Sequence, residues 1–402
     1  MSPVSSRRGF LKSSAGLVGA AAVPRPAVAA DGSPASEPFH GLHQAGILTR
    51  QQAYTYFAVF DVVGTQRQDV EALLRQWTDA AAKLTACGPV DDIDSNEASG
   101  LPPARLTLTF GFGAGLFTKD GQDRFGLLAQ RPDALITLQA FPGDQLHPGR
   151  VDGDLSVQAC AEDPQTAFHA TRQLSRLALG KARLRWAQSG FLPALIRQTP
   201  RNLLGFKDGT QNLNVSDPFA MSAYVWAGTE GPAWMRNGTY LVARRIRMAL
   251  ERWDSTTVAL QEQTIGRRKA SGAPLGGDRE FDAERFHATD AHGNQIIAAN
   301  AHVRLASYDE SHTRILRRGY SFNDGLSVSG GRAAPQNQSI TYDAGLLFMA
   351  YQKDPRTGFV KMFERMSRLD RLNQFTTHVG SGVFAVPPGV NPGGFIGETL
   401  FA

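Results

Sequence analysis

The sequence predicts an α+β protein made of two halves in tandem, each an antiparallel sheet with helices on one face. Residues 54–191 show the order strand, helix, strands, helix, strand, and residues 238–386 repeat that order with low similarity. This order is typical of sheets whose helices lie on one side. We predict an N-terminal domain at 47–200 and a C-terminal domain at 201–402, joined near residues 194–204. A ligand site is expected between the halves, because clefts at domain junctions commonly bind ligands.

The first half begins with a predicted strand at 54–63, which is rich in β-branched and aromatic residues. A predicted helix at 67–86 follows, because its apolar residues recur at helical spacing. The remaining predicted elements of this half are strands at 105–112, 134–141 and 155–160, a helix at 164–179 and a strand at 182–191.

The second half is predicted to repeat this arrangement around a longer irregular region. Its elements are a strand at 238–248, a helix within 250–262, a polar and Gly-rich loop at 271–300, a strand at 344–351, a helix at 358–369 and a last strand at 383–386. A tail rich in Pro and Gly then ends the chain.

The N-terminus has the pattern of a twin-arginine export signal. Arg7 and Arg8 precede a short apolar run at 15–23 and small residues at 27–29, which suit a cleavage site. The apolar run is too short to span a bilayer. We therefore expect residues 1–29 to be a signal peptide that sends the protein to the periplasm or outside the cell.

The mature chain is expected to carry almost no net charge. The signal contains four basic residues and no acid, so its removal lowers the formal net charge from +5 to +1. A chain with so little net charge has no excess of positive charge with which to attract nucleic acid. Residues 30–46, rich in Pro, Ser and Gly, are expected to form a flexible leader.

Cys87 and Cys160 are the two cysteines of the chain. In an oxidising compartment they could pair, but the sequence does not give the distance between them, so both the paired and the free state stay open. The chain contains no Cys-x-x-Cys, no His-Glu-x-x-His and no Gly-x-x-x-x-Gly-Lys-Ser/Thr. These absences exclude a zinc ribbon, a covalently attached haem of the Cys-x-x-Cys-His type, that class of zinc protease and a P-loop.

Asp208 lies between glycines in Gly-Phe-Lys-Asp-Gly-Thr at 205–210. Glycine tolerates positive φ and lets a bulky ligand approach the main chain, so this carboxylate can be aimed into a cavity. The same residues also suit an ordinary surface turn.

Two further segments decide between these interpretations. His302 lies in Asn-Ala-His-Val-Arg-Leu at 300–305, where it would share a side with Arg304 in an extended chain, and Arg317 lies in Ile-Leu-Arg-Arg-Gly-Tyr-Ser-Phe at 315–322. A lone histidine is often structural and an arginine pair is often solvated. Together with Asp208, however, they supply what a haem peroxidase needs: an iron ligand, a proton carrier and a fixed positive charge.

These three segments, in this order after a twin-arginine signal, resemble the dye-decolourising (DyP-type) haem peroxidases, in particular the exported deferrochelatase/peroxidase branch. The resemblance covers nearly the whole mature chain, including the strands around 239–248 and 343–348. It implies two tandem ferredoxin-like domains, an arrangement like that of dimeric α+β barrels. It also implies one non-covalent haem b per chain, bound by the C-terminal half.

The resemblance further implies a role for each site residue. Asp208 would be the distal acid and Arg317, rather than Arg318, the distal arginine. His302 would be the proximal ligand of the haem iron. The other residues implied to contact haem are Gly209, Thr210 and Gln211 at its edge, and Ser307, Tyr308 and Asp309 after the proximal histidine.

The partners of these residues are less defined by the sequence. A proximal histidine normally donates its second N–H to an acceptor; Asp343, Glu310 and a backbone carbonyl are the alternatives. Arg244, Arg245 and Arg247 are candidates to neutralise haem propionates. Because large dyes cannot enter a buried pocket, electrons are expected to pass through surface tyrosines or through Trp226, Trp234 or Trp253.

The implied activity is reduction of hydrogen peroxide through an oxo-ferryl intermediate, with oxidation of dyes, phenolics or porphyrin-type donors. The alternative is a haem or iron-acquisition component, working with an iron-uptake permease, in which peroxidase activity is incidental. A third possibility is an exported α+β protein with no cofactor. A homo-oligomer is expected.

Overall fold

A computed structural model describes residues 36–193, 198–329 and 339–402. The predicted export signal at 1–29 lies outside the described residues, as do the start of the predicted leader and part of the predicted junction at 194–204.

Nine β-strands form a single sheet in the described part of the chain. They are β1 (Tyr54–Val62), β2 (Thr107–Gly113), β3 (Leu155–Ala161), β4 (Ala182–Phe191), β5 (Thr239–Met248), β6 (Leu316–Arg317), β7 (Tyr320–Ser329), β8 (Ser339–Gln352) and β9 (Thr376–Val386). Their order is β5-β9-β2-β3-β1-β4-β7-β8-β6 with antiparallel pairs, and β5 also pairs with β8. The sheet therefore closes into a barrel, which confirms the predicted antiparallel α+β class.

The two halves of the chain meet at two seams of this barrel. In one seam β4 pairs with β7 through Phe191 and Ser321. In the other, β2 pairs with β9 through Phe112 and Ala385. β6 and β7 lie along the same edge of β8 in one continuous register, so they are one strand interrupted at residues 318–319.

The helices lie in the connections between these strands. They are α1 (Ala45–Leu48), α2 (Arg67–Thr85), α3 (Ala114–Phe117), α4 (Pro164–Leu177), α5 (Pro218–Tyr224), α6 (Leu250–Asp254), α7 (Val258–Ile265), α8 (His302–Leu305), α9 (Tyr308–Ser311), α10 (Lys361–Leu369) and α11 (Glu398–Phe401). Within the described ranges, no helix has the length and apolar character needed to cross a membrane.

The strands bury both of their faces, which accounts for their nearly continuous apolar sequences. Neighbouring residues point to opposite faces of a strand, and Ala58 and Phe60 belong to one buried cluster while Phe57 and Val59 belong to another. The first cluster also contains the apolar sides of α2 and α4, so these helices cover one face of the N-terminal strands.

Helix α4 has clear start signals and a firm anchor. Asp163 is its N-cap and accepts a hydrogen bond from Thr166 N at 2.8 Å, while Pro164 occupies the first turn, where its missing N–H costs nothing. Trp77 of α2 donates a 2.8 Å hydrogen bond from its indole to the Leu174 carbonyl. This bond joins α4 to α2 on the barrel surface.

The strand predicted at 134–141 does not form. Its buried residues are Ala134, Leu135, Leu138 and Phe141, a spacing that does not alternate as a strand requires. Arg131 instead holds the segment by donating to the Leu135 carbonyl at 2.9 Å. The apolar side chains therefore anchor an irregular stretch on the core.

Three other predictions need correction. The helix predicted within 250–262 is divided into α6 and α7, because Thr257 interrupts it and caps α7. The segment around His302 is helical in α8, not extended. The strand β7 was missed because a bulge between Asn323 and Leu326 disturbs its alternation.

Candidate active site

Asp208 and Arg317 form an ion pair although 109 residues separate them in the chain. Arg317 Nη1 donates to Asp208 Oδ1 at 2.5 Å. Both side chains keep some open surface, 33% for Arg317 and 24% for Asp208. In a pair of this kind the carboxylate can take up and release a proton while the guanidinium keeps its charge.

The loop around Asp208 is fixed by hydrogen bonds on both sides. The Asp208 amide donates to the Pro200 carbonyl at 2.8 Å, and Asn202 Nδ2 donates to Asp208 Oδ2 at 3.3 Å. Gly209 takes φ +128°, which an L-residue with a side chain rarely adopts. Trp253 packs edge-on against Phe206 and bonds the Leu204 carbonyl at 3.0 Å, which anchors the start of the loop.

Arg317 is positioned by β6 and by Asn212. Asn212 Nδ2 donates to the Arg317 carbonyl at 2.7 Å, and the Arg317 amide donates to Asn212 Oδ1 at 2.9 Å. Because Asn212 follows Asp208 by four residues, the same loop holds both members of the ion pair. Arg318 points elsewhere: it is buried and donates to the Thr49 carbonyl at 2.6 Å.

His302 is the first residue of α8 and is held by a buried carboxylate. Its Nδ1 lies 2.6 Å from Asp370 Oδ2, and the Asp370 side chain is only 3% exposed. The other carboxylate oxygen of Asp370 accepts the Leu372 amide at 2.8 Å. The ring orientation of His302 is therefore set by an acceptor that is itself fixed.

The charges of these residues act on one another. Burial alone would lower the pKa of His302, but the charge of Asp370 and its hydrogen bond raise it above the ordinary value, with a further contribution from Asp208. Burial alone would raise the pKa of Asp208, but the charge and hydrogen bond of Arg317 lower it, and His302 adds to that effect. Asp208, Arg317 and His302 therefore belong to one electrostatic site.

The two carboxylates predicted as partners of His302 are both wrong. Glu310 bonds Arg304 at 3.1 Å and also pairs with Arg365. Asp343 bonds Arg245 at 2.8 Å. Asp370 was missed because it lies 68 residues beyond His302; the one local signal was an aspartate placed to cap the turn that begins at Arg371.

The residues after Asp208 contact a loop from the irregular region. Thr210 donates to Glu280 Oε1 at 2.9 Å, and Lys207 pairs with the same glutamate. Gln211 donates to Glu284 at 3.2 Å. Thr210 and Gln211 thus join the Asp208 loop to residues 280–284, while a Cβ on Gly209 would lie 3.6 Å from the Thr199 side chain.

The predicted segment after the histidine forms a short turn and α9. Ser307 donates to the Arg304 carbonyl at 2.7 Å. Tyr308 is 44% exposed and stacks edge-on with Tyr224 at 6.5 Å, and Asp309 is exposed.

The arginines proposed to meet haem propionates differ in their surroundings. Arg244 is fully buried and donates to Asp144 at 2.5 Å and to His378 Nδ1 at 3.0 Å. Arg245 is buried and bonds both Asp324 and Asp343 at 2.8 Å. Arg247 keeps 34% of its side chain exposed.

The three tryptophans predicted to carry electrons differ in their exposure to solvent. Trp234 and Trp253 are buried, whereas Trp226 is half-buried and stacks on His43 at 3.7 Å.

Cys87 is exposed and Cys160 buried, and both thiols are free. The paired alternative for the cysteines is therefore wrong.

The donor set suits a haem iron. With Nδ1 of His302 taken by Asp370, its Nε2 makes no hydrogen bond within the described residues and is free to bind metal. The His302 side chain keeps 35% of its surface open. An imidazole with an anionic partner, near an arginine–carboxylate pair, is the set of groups that haem peroxidase chemistry requires.

Comparisons with known proteins agree with this geometry. The family models described as Dyp-type peroxidase, N-terminal, and Dyp-type peroxidase, C-terminal, match residues 44–192 and 199–391. The chain belongs to the Dyp-type peroxidase family. DyP-type peroxidases bind haem, so the chain is a haem-dependent peroxidase, and the family, cofactor and enzyme class predicted from the sequence are confirmed.

Individual relatives cover most of the chain. It is 38% identical over 374 residues to the dye-decolorizing peroxidase of Thermobifida fusca (strain YX), which covers 89% of this chain and 83% of the relative. It is 36% identical over 373 residues to the deferrochelatase of Escherichia coli (strain K12), covering 88% and 84%. The solved structure of DtpA from Streptomyces lividans superposes with a TM-score of 0.85 at 40% identity, covering 92% of this chain and 98% of that one.

Proposed function

We propose that Asp208 and Arg317 carry out the peroxide chemistry of this DyP-type peroxidase and that His302 is the ligand of the haem iron. The observation that supports this most directly is the 2.5 Å Asp208–Arg317 ion pair, electrostatically coupled to a histidine whose Nδ1 is held by Asp370. Nε2 of His302 would hold the haem iron, and the bound haem would supply the two electrons that cleavage of the peroxide bond consumes.

Asp208 moves the proton. Because Arg317 keeps the pKa of Asp208 below its ordinary value, the carboxylate is charged at neutral pH and can accept a proton from hydrogen peroxide. Oδ1 is engaged by Arg317, whereas Oδ2 has only the longer contact with Asn202. We assign the proton transfer to Oδ2, which returns the proton to the outer oxygen so that it leaves as water.

Arg317 supplies a positive charge that does not titrate in the working pH range. Its guanidinium stabilises the negative charge that forms on peroxide when Asp208 takes the proton, and again on the departing oxygen. The two hydrogen bonds between the Asn212 side chain and the Arg317 backbone, one donated by each residue, fix where that charge lies.

His302, with Asp370 behind it, would hold the haem iron. An imidazole that donates to a carboxylate is more basic than a free one, and so donates more electron density to a bound metal. The buried position of Asp370 keeps solvent from weakening this interaction.

The reducing substrate is proposed to be a dye, a phenolic or a porphyrin-type donor. The relative named dye-decolorizing peroxidase supports the first of these. The second candidate function, in iron acquisition together with a permease, is supported by the relatives named deferrochelatase. A chelator assay separates them: iron released with intact porphyrin favours iron acquisition, and steady donor oxidation without iron loss favours the peroxidase.

We also propose a ferredoxin-like fold for each half, homo-oligomer formation, and export by the twin-arginine route to the periplasm or beyond. The strand order supports the first, since β4-β1-β3-β2 and β9-β5-β8-β7 repeat one arrangement. The sequence of residues 1–29 supports the last.

Stopped-flow absorbance of haem-loaded Asp208→Asn and Arg317→Leu tests the catalytic roles. Each variant should keep a Soret band, while the reaction with stoichiometric peroxide slows by about 10²–10⁴-fold for Asp208→Asn. His302→Ala should lose stable haem binding. Asp343→Asn, outside this site, is the control and should react like the parent protein; unchanged rates in both distal variants would contradict the assignment.

A further inference from the structure

A second cluster of ligand-type side chains lies in the N-terminal half, where the connection from α2 to β2 crosses helix α4. Asp94 and Glu97 come from this connection and His169 from α4. Each offers one ligand atom, and these atoms all lie within 4.8 Å of one another. Nδ1 of His169 is 3.2 Å from Glu97 Oε1, and its Nε2 is 3.6 Å from Asp94 Oδ1.

The cluster is largely buried, and three of its polar atoms make no hydrogen bond among the described residues. The side chains of Asp94, Glu97 and His169 are only 4%, 19% and 9% exposed. His169 Nδ1 and both carboxylate oxygens of Glu97 are inaccessible and have no hydrogen bond among the described residues. The approach of Arg172 Nη1 to Glu97 Oε1 at 3.2 Å also lacks hydrogen-bond geometry. Buried polar groups usually have a partner, so these atoms make the cluster a candidate for binding a cation.

The surrounding contacts hold the cluster in place. Asp94 accepts the Val90 and Asn96 amides at 2.9 Å, one on each carboxylate oxygen, which fixes its orientation. Arg176 of α4 binds both carboxylate oxygens of Asp91 at 2.8 Å. The connection is thus already fastened to α4 beside the three candidate ligands.

We propose that Asp94, Glu97 and His169 bind a divalent transition-metal ion, of which zinc is the best-suited class. One imidazole and two carboxylates are ligands that zinc accepts, and tetrahedral zinc would place its ligand atoms about 3.4 Å apart. In the structure Nδ1 of His169 faces Glu97 and Nε2 faces Asp94, so the ring has to turn to bring one nitrogen toward both carboxylates. Arg172 is 53% exposed and can turn into solvent as the ion binds.

The ion would act as a structural clip. The connection between α2 and β2 contains no helix or strand, and a metal joining it to α4 closes it against the core. Since the unfolded chain lacks a preformed site, binding favours the folded state. None of the three ligands belongs to the haem site.

Zinc content is the direct test. Haem-loaded protein without a polyhistidine tag is stripped with a chelator, equilibrated with zinc chloride, passed through a desalting column and analysed for zinc and iron by mass spectrometry. We expect one zinc per chain beside the haem iron, together with a higher melting temperature. Glu97→Gln and His169→Gln should each weaken zinc binding at least tenfold while keeping the Soret band.

Asp91→Asn is the matched control, because it weakens the same connection without removing a ligand. It should keep full zinc content. If His169→Gln fails to fold, Glu97→Gln decides the question alone. No zinc in the parent protein, or equal zinc in the parent and the ligand variants, would overturn the proposal and leave a protonated His169 bridging two carboxylates as the explanation of the cluster.

Discussion

Replacing Asp370 with asparagine tests how strongly one buried carboxylate tunes the haem site. Asparagine keeps an oxygen that can accept the Leu372 amide, so the turn after α10 is preserved. What changes is the partner of His302 Nδ1, from an anion 2.6 Å away to a neutral amide. Loss of the anion makes the imidazole a weaker donor to iron, which destabilises the ferric state relative to the ferrous state.

The size of this effect follows from the hydrogen bond that is lost. A buried hydrogen bond to a charged group contributes about 1.5–3 kcal/mol. On a one-electron scale, where about 59 mV corresponds to a tenfold change in equilibrium, this becomes a rise of about 60–130 mV in the haem midpoint potential. The figure is an upper bound, because part of the interaction is common to both oxidation states.

Spectroelectrochemical titration of the haem-loaded variants measures this potential. Glu310→Gln and Asp343→Asn are the controls, since these carboxylates pair with arginines and not with His302. Both should titrate with the parent protein. A shift below about 20 mV in Asp370→Asn, or an equal shift in Glu310→Gln, would refute the role assigned to Asp370.

Three further outcomes are expected. Since the pKa of Asp208 is lowered in the folded protein, the peroxide reaction should persist as pH falls through the ordinary carboxyl range and fail only below it. In stopped-flow measurements over a range of pH, Arg317→Leu should move this loss of reaction to higher pH. If the pH of the loss does not change in that variant, the result would count against the role of the ion pair. Gly345→Ala should lower the free energy of unfolding in urea by about 1–3 kcal/mol, because its Cβ would lie 1.9 Å from the Ile246 carbonyl oxygen on the paired strand β5. Gly41→Ala should leave the free energy of unfolding nearly unchanged, because the nearest neighbour of its Cβ is 3.6 Å away. In the native protein a thiol reagent should label only the exposed Cys87. Cys160 should react only in denaturant, because it is buried and burial raises the pKa of its thiol. If neither cysteine is labelled in the native protein, the hypothesis of a disulfide between them would stand again.

Much of the fold was predictable because the signals are local. These signals are the β-branched and apolar composition of β1 and β5 and the helical spacing of apolar residues in α2 and α4. The structure places each of these elements within two residues of the predicted bounds. The strand predicted at 134–141 was wrong because the buried apolar residues of this segment do not alternate with exposed ones. β7 was missed for a related reason, since a bulge breaks its pattern.

The sequence identified the candidate site residues whose side chains can bind iron, carry a proton or hold a fixed positive charge, and whose neighbouring residues are unusual. Asp208 between glycines, His302 and the arginine pair could be chosen without coordinates. The choice between Arg317 and Arg318 rested on resemblance, and the tertiary structure shows its physical basis: neighbours in an extended chain face opposite ways, so one arginine meets Asp208 and the other the Thr49 carbonyl.

The sequence by itself therefore determined the fold class, the family and the candidate site residues, because each depends on short-range patterns or a recognisable motif. Only the tertiary structure decided which partners those side chains have. Asp370 reaches His302 across 68 residues, Asn212 reaches Arg317 across 105, and β5 meets β8 to close the barrel. Such contacts depend on how distant segments pack. The sequence contains several carboxylates and amides that could serve as each partner, and it does not say which of them lies close enough.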